Sequence, residues 1–227
     1  MTPRRLPAVF IGVVLACPGC SPIEHLDQQP WFALRRERVV GFDDVAAGAL
    51  PERFVATETN ASGTPSRWQV ERDDARGSNV VSHAEVKATP KAFALLLSTT
   101  EHGPDVELSV RMKSISGKTD KGGGLVWRAK DADNYYLARW SLIDKNLRLF
   151  RVVDGARTLL ANVNVDTDPN AWHTLSARSI GTSHEVLLDG EKLIVHSDAT
   201  YPGSGRIGLW TRSDAITKFD DLRIRER

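Results

Sequence analysis

Arg128, Tyr135, Tyr136, Arg139, Trp140, Arg148, Trp210 and Arg212 are the side chains of this sequence best suited to holding a ligand. Aromatic rings offer flat apolar faces and guanidinium groups offer forked donors. That pairing suits a ligand with apolar C–H faces and hydroxyl groups, as saccharides have. Tyr and Trp also fill cores, and Trp68 and Trp172 are expected to do so. Strand phase decides between the two roles, because a slip of one residue exchanges the faces of a strand.

Other chemistries find less support. No Gly-x-Ser-x-Gly elbow is present, and both cysteines, Cys17 and Cys20, fall within the first 20 residues. The six histidines include no His-Glu-x-x-His. If Asp189-Gly190 makes a two-residue turn, Ser183 faces His196 and His184 faces Val195. The two histidines then point to opposite sides and cannot share a metal. Gly122-Gly123-Gly124 precedes neither a helix nor a Lys-Ser/Thr pair, and reads as the entry to a strand. Phe42-Asp43-Asp44 and Phe219-Asp220-Asp221 repeat one motif near the two ends. If the terminal strands are neighbours, Asp44 and Asp221 could share a structural calcium, whose hard oxygen ligands they resemble; solvent-facing acids at strand ends are the simpler expectation.

The elements that must position these residues read as strands. Leu125 to Ala129, Tyr135 to Trp140, Leu147 to Val153 and Arg157 to Val163 are rich in aromatic and branched residues separated by polar or Gly-rich turns. Asp154-Gly155 predicts a two-residue type I′ hairpin. It would place Phe150 opposite Leu159 and Val152 opposite Arg157 on one face, with Leu149 opposite Leu160 on the other. Both faces are then partly apolar, which implies that the second face is concave and partly covered. Further strands are expected near Phe54–Thr57, Ser66–Glu71, Asn79–His83, Ala92–Ser98, Val106–Lys113, Trp172–Ile180, Ser183–Leu188, Lys192–His196, Arg206–Thr211 and Ile216–Ile224. No segment sustains a helical period. The reading is an all-β sandwich of two antiparallel sheets.

At 227 residues the chain can form one well-buried sandwich, expected over residues 38–227. Thirty basic residues against 29 acidic ones, scattered along the chain, give a formal net charge of +1 and no basic run, which argues against nucleic acid. Arg4 and Arg5 precede an apolar run from Leu6 to Ala16, too short to span a bilayer, and read as a signal peptide over residues 1–16. Its end resembles the lipobox of bacterial lipoproteins. Val14-Leu15-Ala16-Cys17 fits best and Cys20 less well. Lipidation at Cys17, a tether over residues 17–37 and an outer-membrane address are the expectation, with Pro18 after Cys17 favouring the outer membrane; a plain secreted form is the alternative. Removing residues 1–16 takes away two arginines and no acid, leaving 28 basic against 29 acidic residues, a charge of −1. Membrane contact would therefore come through the lipid alone. Trp31-Phe32 within the tether is expected to dock on the domain.

Leu50-Pro51, Trp68-Gln69-Val70, Gly124-Leu125-Val126-Trp127-Arg128, Asn134-Tyr135-Tyr136 and Arg206-Ile207-Gly208-Leu209-Trp210-Thr211, followed by Phe219-Asp220-Asp221, occur in one order. That ordered set resembles the concanavalin A-like lectin/glucanase superfamily, and most of all bacterial 3-keto-disaccharide hydrolase domains, over nearly all of residues 38–227. The resemblance implies a jelly-roll sandwich whose concave sheet binds carbohydrate. Two features depart from its enzymes. The laminarinase-type Glu-x-Asp-x-x-Glu stretch is absent, Glu185 to Glu191 having the wrong spacing. Where the 3-keto-disaccharide relatives often carry an acid late in the strand matching Val106–Lys113, Arg111 stands here, and Glu107 sits elsewhere on that strand. Carbohydrate recognition without catalysis is therefore the leading expectation. A 3-keto-glycoside-type hydrolase and a protein-binding surface lipoprotein are the alternatives.

Overall fold

The computed structural model describes residues 37–61, 66–85 and 93–226. The expected signal peptide, Cys17, Cys20, Trp31-Phe32 and all of the tether except Glu37 lie outside the described residues. Within them the chain forms strands and no helix.

Two antiparallel sheets result. The eight-stranded sheet runs β13 (Glu191–Ser197), β12 (Ser183–Leu188), β11 (His173–Ile180), β6 (Val106–Ser116), β15 (Ile216–Glu226), β4 (Ser78–Glu85) and β3 (Arg67–Asp73), with β1 (Arg38–Val40) paired to β15. The seven-stranded sheet runs β10 (Ala156–Asn164), β9 (Asn146–Val153), β8 (Tyr135–Ser141), β7 (Gly122–Ala129), β14 (Arg206–Arg212), β5 (Phe93–Ser98) and β2 (Phe54–Thr59). The main core lies between them. Trp68, Val110, Met112, Leu175 and Phe219 of the first sheet belong to one apolar cluster with Leu96, Leu125, Trp127, Tyr136, Trp140, Leu149 and Leu209 of the second.

The sheets differ in what their outer faces carry. Strand β11 alternates buried and half-buried residues throughout, so one face of the eight-stranded sheet meets water. Across that face Glu185, Arg178, Glu107 and Arg225 stand directly opposite one another on β12, β11, β6 and β15. Their ion pairs continue to Lys192 at one end and Glu37 at the other. In the seven-stranded sheet, by contrast, every residue of β5, β7 and β8 is buried. A second apolar cluster, including Phe93, Leu95, Val126, Tyr135, Leu137, Phe150 and Trp210, occupies its outer face. The expectation of a sheet apolar on both sides is met.

Turns and bulges set which residues share a face. Asp154 and Gly155 have φ of 49° and 73°, the type I′ geometry, and pair Phe150 with Leu159 and Val152 with Arg157 as expected. Leu149, however, pairs with Ala161 and not Leu160, because Leu160 is an extra residue at a bulge. The Asp189-Gly190 turn also forms, yet its strands slip by one through a bulge at Leu193. His184 therefore faces His196, correcting the expected pairings of Ser183 with His196 and His184 with Val195. Both bulges have one reason: they let Leu160 and Ala161, and Leu193 and Ile194, all pack on the main core.

Three glycines in a row open β7 because neighbours lie too close for side chains. A Cβ on Gly123 would come within 2.7 Å of the Phe219 ring across the core. At the other end of β7, a bulge sets Trp127 and Arg128 against Ile207 alone and puts Arg128 at φ 49°. The displaced guanidinium is buried and donates from Nε to Pro104 O (2.8 Å), from Nη1 to Tyr201 O (2.8 Å) and from Nη2 to Gly181 O (2.7 Å). It ties three loops together.

A buried histidine links the sheets. His184 Nδ1 meets the Trp127 indole N–H at 3.3 Å; indole only donates, so Nδ1 is the acceptor and Nε2–H donates to Asp198 O at 3.2 Å. Asp198 in turn accepts from Tyr136 Oη at 2.6 Å and Arg151 Nη1 at 2.9 Å. Burial holds the His184 pKa down at about 4.

Two stability outcomes follow from these contacts. Because the unfolded chain takes up the imidazole proton first, the stability due to neutral His184 is complete above pH 6.5 and declines as pH falls towards 4, by up to roughly 1.4 kcal/mol per unit. Thermal melts from neutral to acid pH should show this decline, and His184→Gln should be less stable at neutral pH but decline less steeply. Arg128→Ala should destabilise the fold by roughly 3 kcal/mol, since three charge-assisted hydrogen bonds are lost, one of them to the buried Tyr201 carbonyl, and the buried side chain leaves a void. Arg128→Lys, a single point charge without the planar fork, should recover only part of that in a denaturant titration.

Candidate functional site

The registers sort the eight expected ligand-holding residues into three environments. Thr57, Leu95, Trp210, Gly124, Arg139, Arg148 and Asn162 form one row across the outer face of all seven strands. Tyr135 and Arg212 share that face, opposite Val152 and Phe93 respectively. Tyr136 and Trp140 instead point into the main core, so they cannot meet a ligand on the outer face. Arg128 is the loop clamp and is likewise removed from the site. Five of the eight, namely Tyr135, Arg139, Arg148, Trp210 and Arg212, therefore come together. Trp68 is core, as expected, but Trp172 is half-buried beneath the Arg76 guanidinium, 4.6 Å from its ring centroid.

Arginines dominate the polar end of this face. Arg139 and Arg148 stand directly opposite each other, an arrangement of like charges that needs an acid between them. Asp144, from the β8–β9 turn, supplies it: its Oδ2 lies 2.9 Å from Arg139 Nη1 and 3.6 Å from Arg148 Nη1. The hydrogen bond from Arg139 holds the Asp144 carboxyl below its usual pKa. Asp120, from the β6–β7 loop, accepts from Arg139 Nη2 at 2.7 Å and lies 4.0 Å from Arg212. That loop is fixed in turn by Asp214, whose carboxylate accepts from the backbone N–H groups of Lys118, Thr119 and Asp120.

Arg157 was not among the expected residues. Its partner Val152 puts it on this face, and its guanidinium carbon lies 4.3 Å from the Phe93 ring centroid, 5.0 Å from Phe150 and 5.9 Å from Trp210. Burial, with repulsion from Arg212 and Arg139, lowers its pKa to about 10, so it stays charged at neutral pH. Phe93, Phe150, Asp120 and Asp144 were also missed. The hairpin pairing of Arg157 with Val152 held the signal for Arg157; the two acids sit in loops with no motif of their own.

Three buried donors here have no partner: Arg139 Nε, Arg157 Nη1 and Arg212 Nε. Tyr135 Oη bonds Thr59 Oγ1 at 2.7 Å; since Thr59 donates its proton to Ala132 O, Tyr135 is the donor. Burial raises the Tyr135 pKa to about 12. The floor of the face is buried, while its rim is open: Arg148 is 33%, Arg212 30% and Asp144 40% exposed in their side chains, and Leu159 is 51% exposed.

The expected metal and acid positions lie elsewhere. β1 and β15 are neighbours, with Val40 opposite Leu222, so the two Phe-Asp-Asp motifs do approach each other. Asp221 is held by Arg76 at 3.1 Å and Asp44 is exposed. Among the described residues no group of three or more His, Cys, Asp or Glu side chains is placed to bind a metal. Arg111 and Glu107 belong to β6, in the other sheet. A cavity of about 380 Å³ at the β1 end is lined by Arg38, Asp43, Asp44, Arg53 and His102, and there His102 Nδ1 is paired with Glu226 at 2.6 Å.

No protein-family model matches the sequence, and no curated protein matches it. Solved structures do. The carbohydrate-binding module CBM66 from Bacillus subtilis is 22% identical and superposes with a TM-score of 0.60 over 75% of this chain and 95% of its own. The exoplasmic/lumenal domain of VIP36, in a Ca²⁺- and mannose-bound form, is 12% identical, with a TM-score of 0.58 over 84% of this chain and 89% of its own. A native glycosidic hydrolase is 11% identical, with a TM-score of 0.51 over 84% and 96%. At these identities the likeness concerns the fold, and together with the two antiparallel sheets it establishes a concanavalin A-like jelly-roll β-sandwich.

Proposed function

We propose that the protein binds carbohydrate on the outer face of its seven-stranded sheet and does so without catalysis. The observation that carries this reading is one face combining an aromatic floor of Phe93, Phe150 and Trp210 with four arginines, several of whose buried donors have no protein partner. The partly exposed guanidinium groups of Arg148 and Arg212 at the rim suit a ligand rich in acceptor oxygens, and the exposed Leu159 adds apolar area on the same face. Proteins of the same fold that are named as a carbohydrate-binding module and as a mannose-bound domain support it.

One observation favours a second reading, a glycoside hydrolase. Asp120 and Asp144 reach the two Nη atoms of the single Arg139 guanidinium, so two carboxylates converge as glycoside cleavage requires. Against it, the hydrogen bond from Arg139 keeps Asp144 ionised, which suits a base or nucleophile and leaves the proton donor unassigned.

On a broad glycan array, probed with and without calcium, the protein should bind a restricted set of saccharides. Arg148→Ala and Arg212→Ala, both on the rim, should weaken that binding by roughly tenfold each while leaving the melting temperature within a few degrees. A blank array would overturn the reading. Incubation with the bound glycans should release no reducing ends; release abolished by Asp120→Asn would establish the hydrolase instead.

Export and lipid anchoring at Cys17 belong to the same proposal, supported by the apolar run Leu6–Ala16 and the following Val14-Leu15-Ala16-Cys17. In a bacterial host, radiolabelled palmitate should enter the wild-type protein and Cys20→Ala but not Cys17→Ala.

A further inference from the structure

The charge on the outer face of the seven-stranded sheet does not balance. Arg139, Arg148, Arg157 and Arg212 share that face. Asp120 and Asp144 are the carboxylates that reach them, and both are already shared between arginines. Arg157 takes neither. Among the described residues it has no carboxylate partner, and its company is three aromatic rings. A half-buried guanidinium with a donor left over, repelled by two others nearby, is a costly arrangement for the free protein. An anion placed there would relieve it, because the forked donors of arginine match the two oxygens of a carboxylate or the oxygens of a sulfate.

The surroundings say what kind of molecule would bring that anion. A free inorganic ion would leave the exposed Leu159 unused, and this side chain offers apolar area on the same face as Arg157, whose guanidinium covers the buried Phe93, Phe150 and Trp210 rings. Asn162, whose Oδ1 accepts from Arg148 Nε at 2.8 Å, adds a polar group on the same face. Charge, apolar area and hydroxyl partners coincide in a sugar ring that carries an acid group.

We propose that the saccharide recognised on this face is acidic, bearing a carboxylate or a sulfate ester, and that Arg157 is its principal anion-binding residue, with Arg212 and Arg139 beside it. This rests on the carbohydrate-binding reading and narrows it to one substrate class. The acid group would meet the solvent-facing part of the half-buried Arg157 side chain, the ring would lie towards Leu159, and neighbouring sugars would run out along the rim at Arg148.

The test is a matched panel of oligosaccharides: galacturonate and glucuronate oligomers, their carboxyl-reduced neutral counterparts, and sulfated galactose oligomers. Binding to the protein would be measured by calorimetry at low and high salt. The expected result is acidic over neutral binding by roughly tenfold or more, falling as salt rises, with loss of that preference in Arg157→Gln. Uronate binding without sulfate binding, or the reverse, would identify which acid group is read. Arg157→Gln must melt like the wild type for its result to count; Arg212→Gln, on the rim, gives an independent reading of the same preference. Equal binding of acidic and neutral partners would overturn the acidic assignment and leave carbohydrate binding standing. Acidic binding unchanged in both folded variants would overturn the role of Arg157. No binding by any saccharide, neutral or acidic, on the panel and the array would overturn the parent reading as well.

Discussion

The seven-stranded sheet has to be buried on both faces, and much of the molecule answers to that demand. Its central strands β7, β8 and β5 expose almost nothing, so their hydrogen bonds form in a dry environment on either side. One side is met by the eight-stranded sheet across the main core. The glycines that open β7 let the layers close up where the Phe219 ring crosses. The other side cannot be covered in the same way, because no third sheet exists among the described residues. An apolar cluster capped by a long basic side chain is the solution adopted: the Arg157 stem and guanidinium reach across Phe150, Trp210 and Phe93, covering apolar area while keeping a charge at the surface.

That solution brings like charges together. Arg139, Arg148, Arg157 and Arg212 are neighbours on one face, and the loops at one end of the sheet supply the acids that make this tolerable. Asp144 comes from the β8–β9 turn and Asp120 from the β6–β7 loop. Asp214, just beyond β14, holds the Asp120 loop through three backbone amides. The site is therefore braced by two turns and a loop from strands far apart in sequence, with its donors only partly satisfied. Folding stability alone would be better served by neutral residues here.

Much of the architecture was legible in the sequence because its signals are local. Alternating apolar residues and Asp-Gly turns gave the strands and two hairpins, and the Phe150–Leu159 and Val152–Arg157 pairs followed from turn chemistry alone. What failed was set by packing at a distance. Leu160 and Leu193 enter bulges because both they and their neighbours find room in the main core, and nothing in the local pattern marks an extra residue. The slip at Leu193 moved His184 beside His196. The same phase problem put Tyr136 and Trp140 among expected ligand contacts, whereas Tyr135 and Arg139, each one residue away, hold the outer face. Arg128 was misread for a different reason. A buried arginine and a binding arginine look alike until the carbonyls of Pro104, Gly181 and Tyr201 are brought to it by three separate loops.

The alternating row of Lys192, Glu185, Arg178, Glu107, Arg225 and Glu37 on the opposite sheet bears on how the molecule meets its surroundings. Adjacent charges of opposite sign cancel over distances shorter than the screening length, about 8 Å at physiological salt, so this row projects little field into solution. The uncancelled arginines are on the other side. An acidic ligand nearing the arginine face would therefore be attracted there without opposition from this row. Such attraction would raise the encounter rate and fade as ionic strength increases.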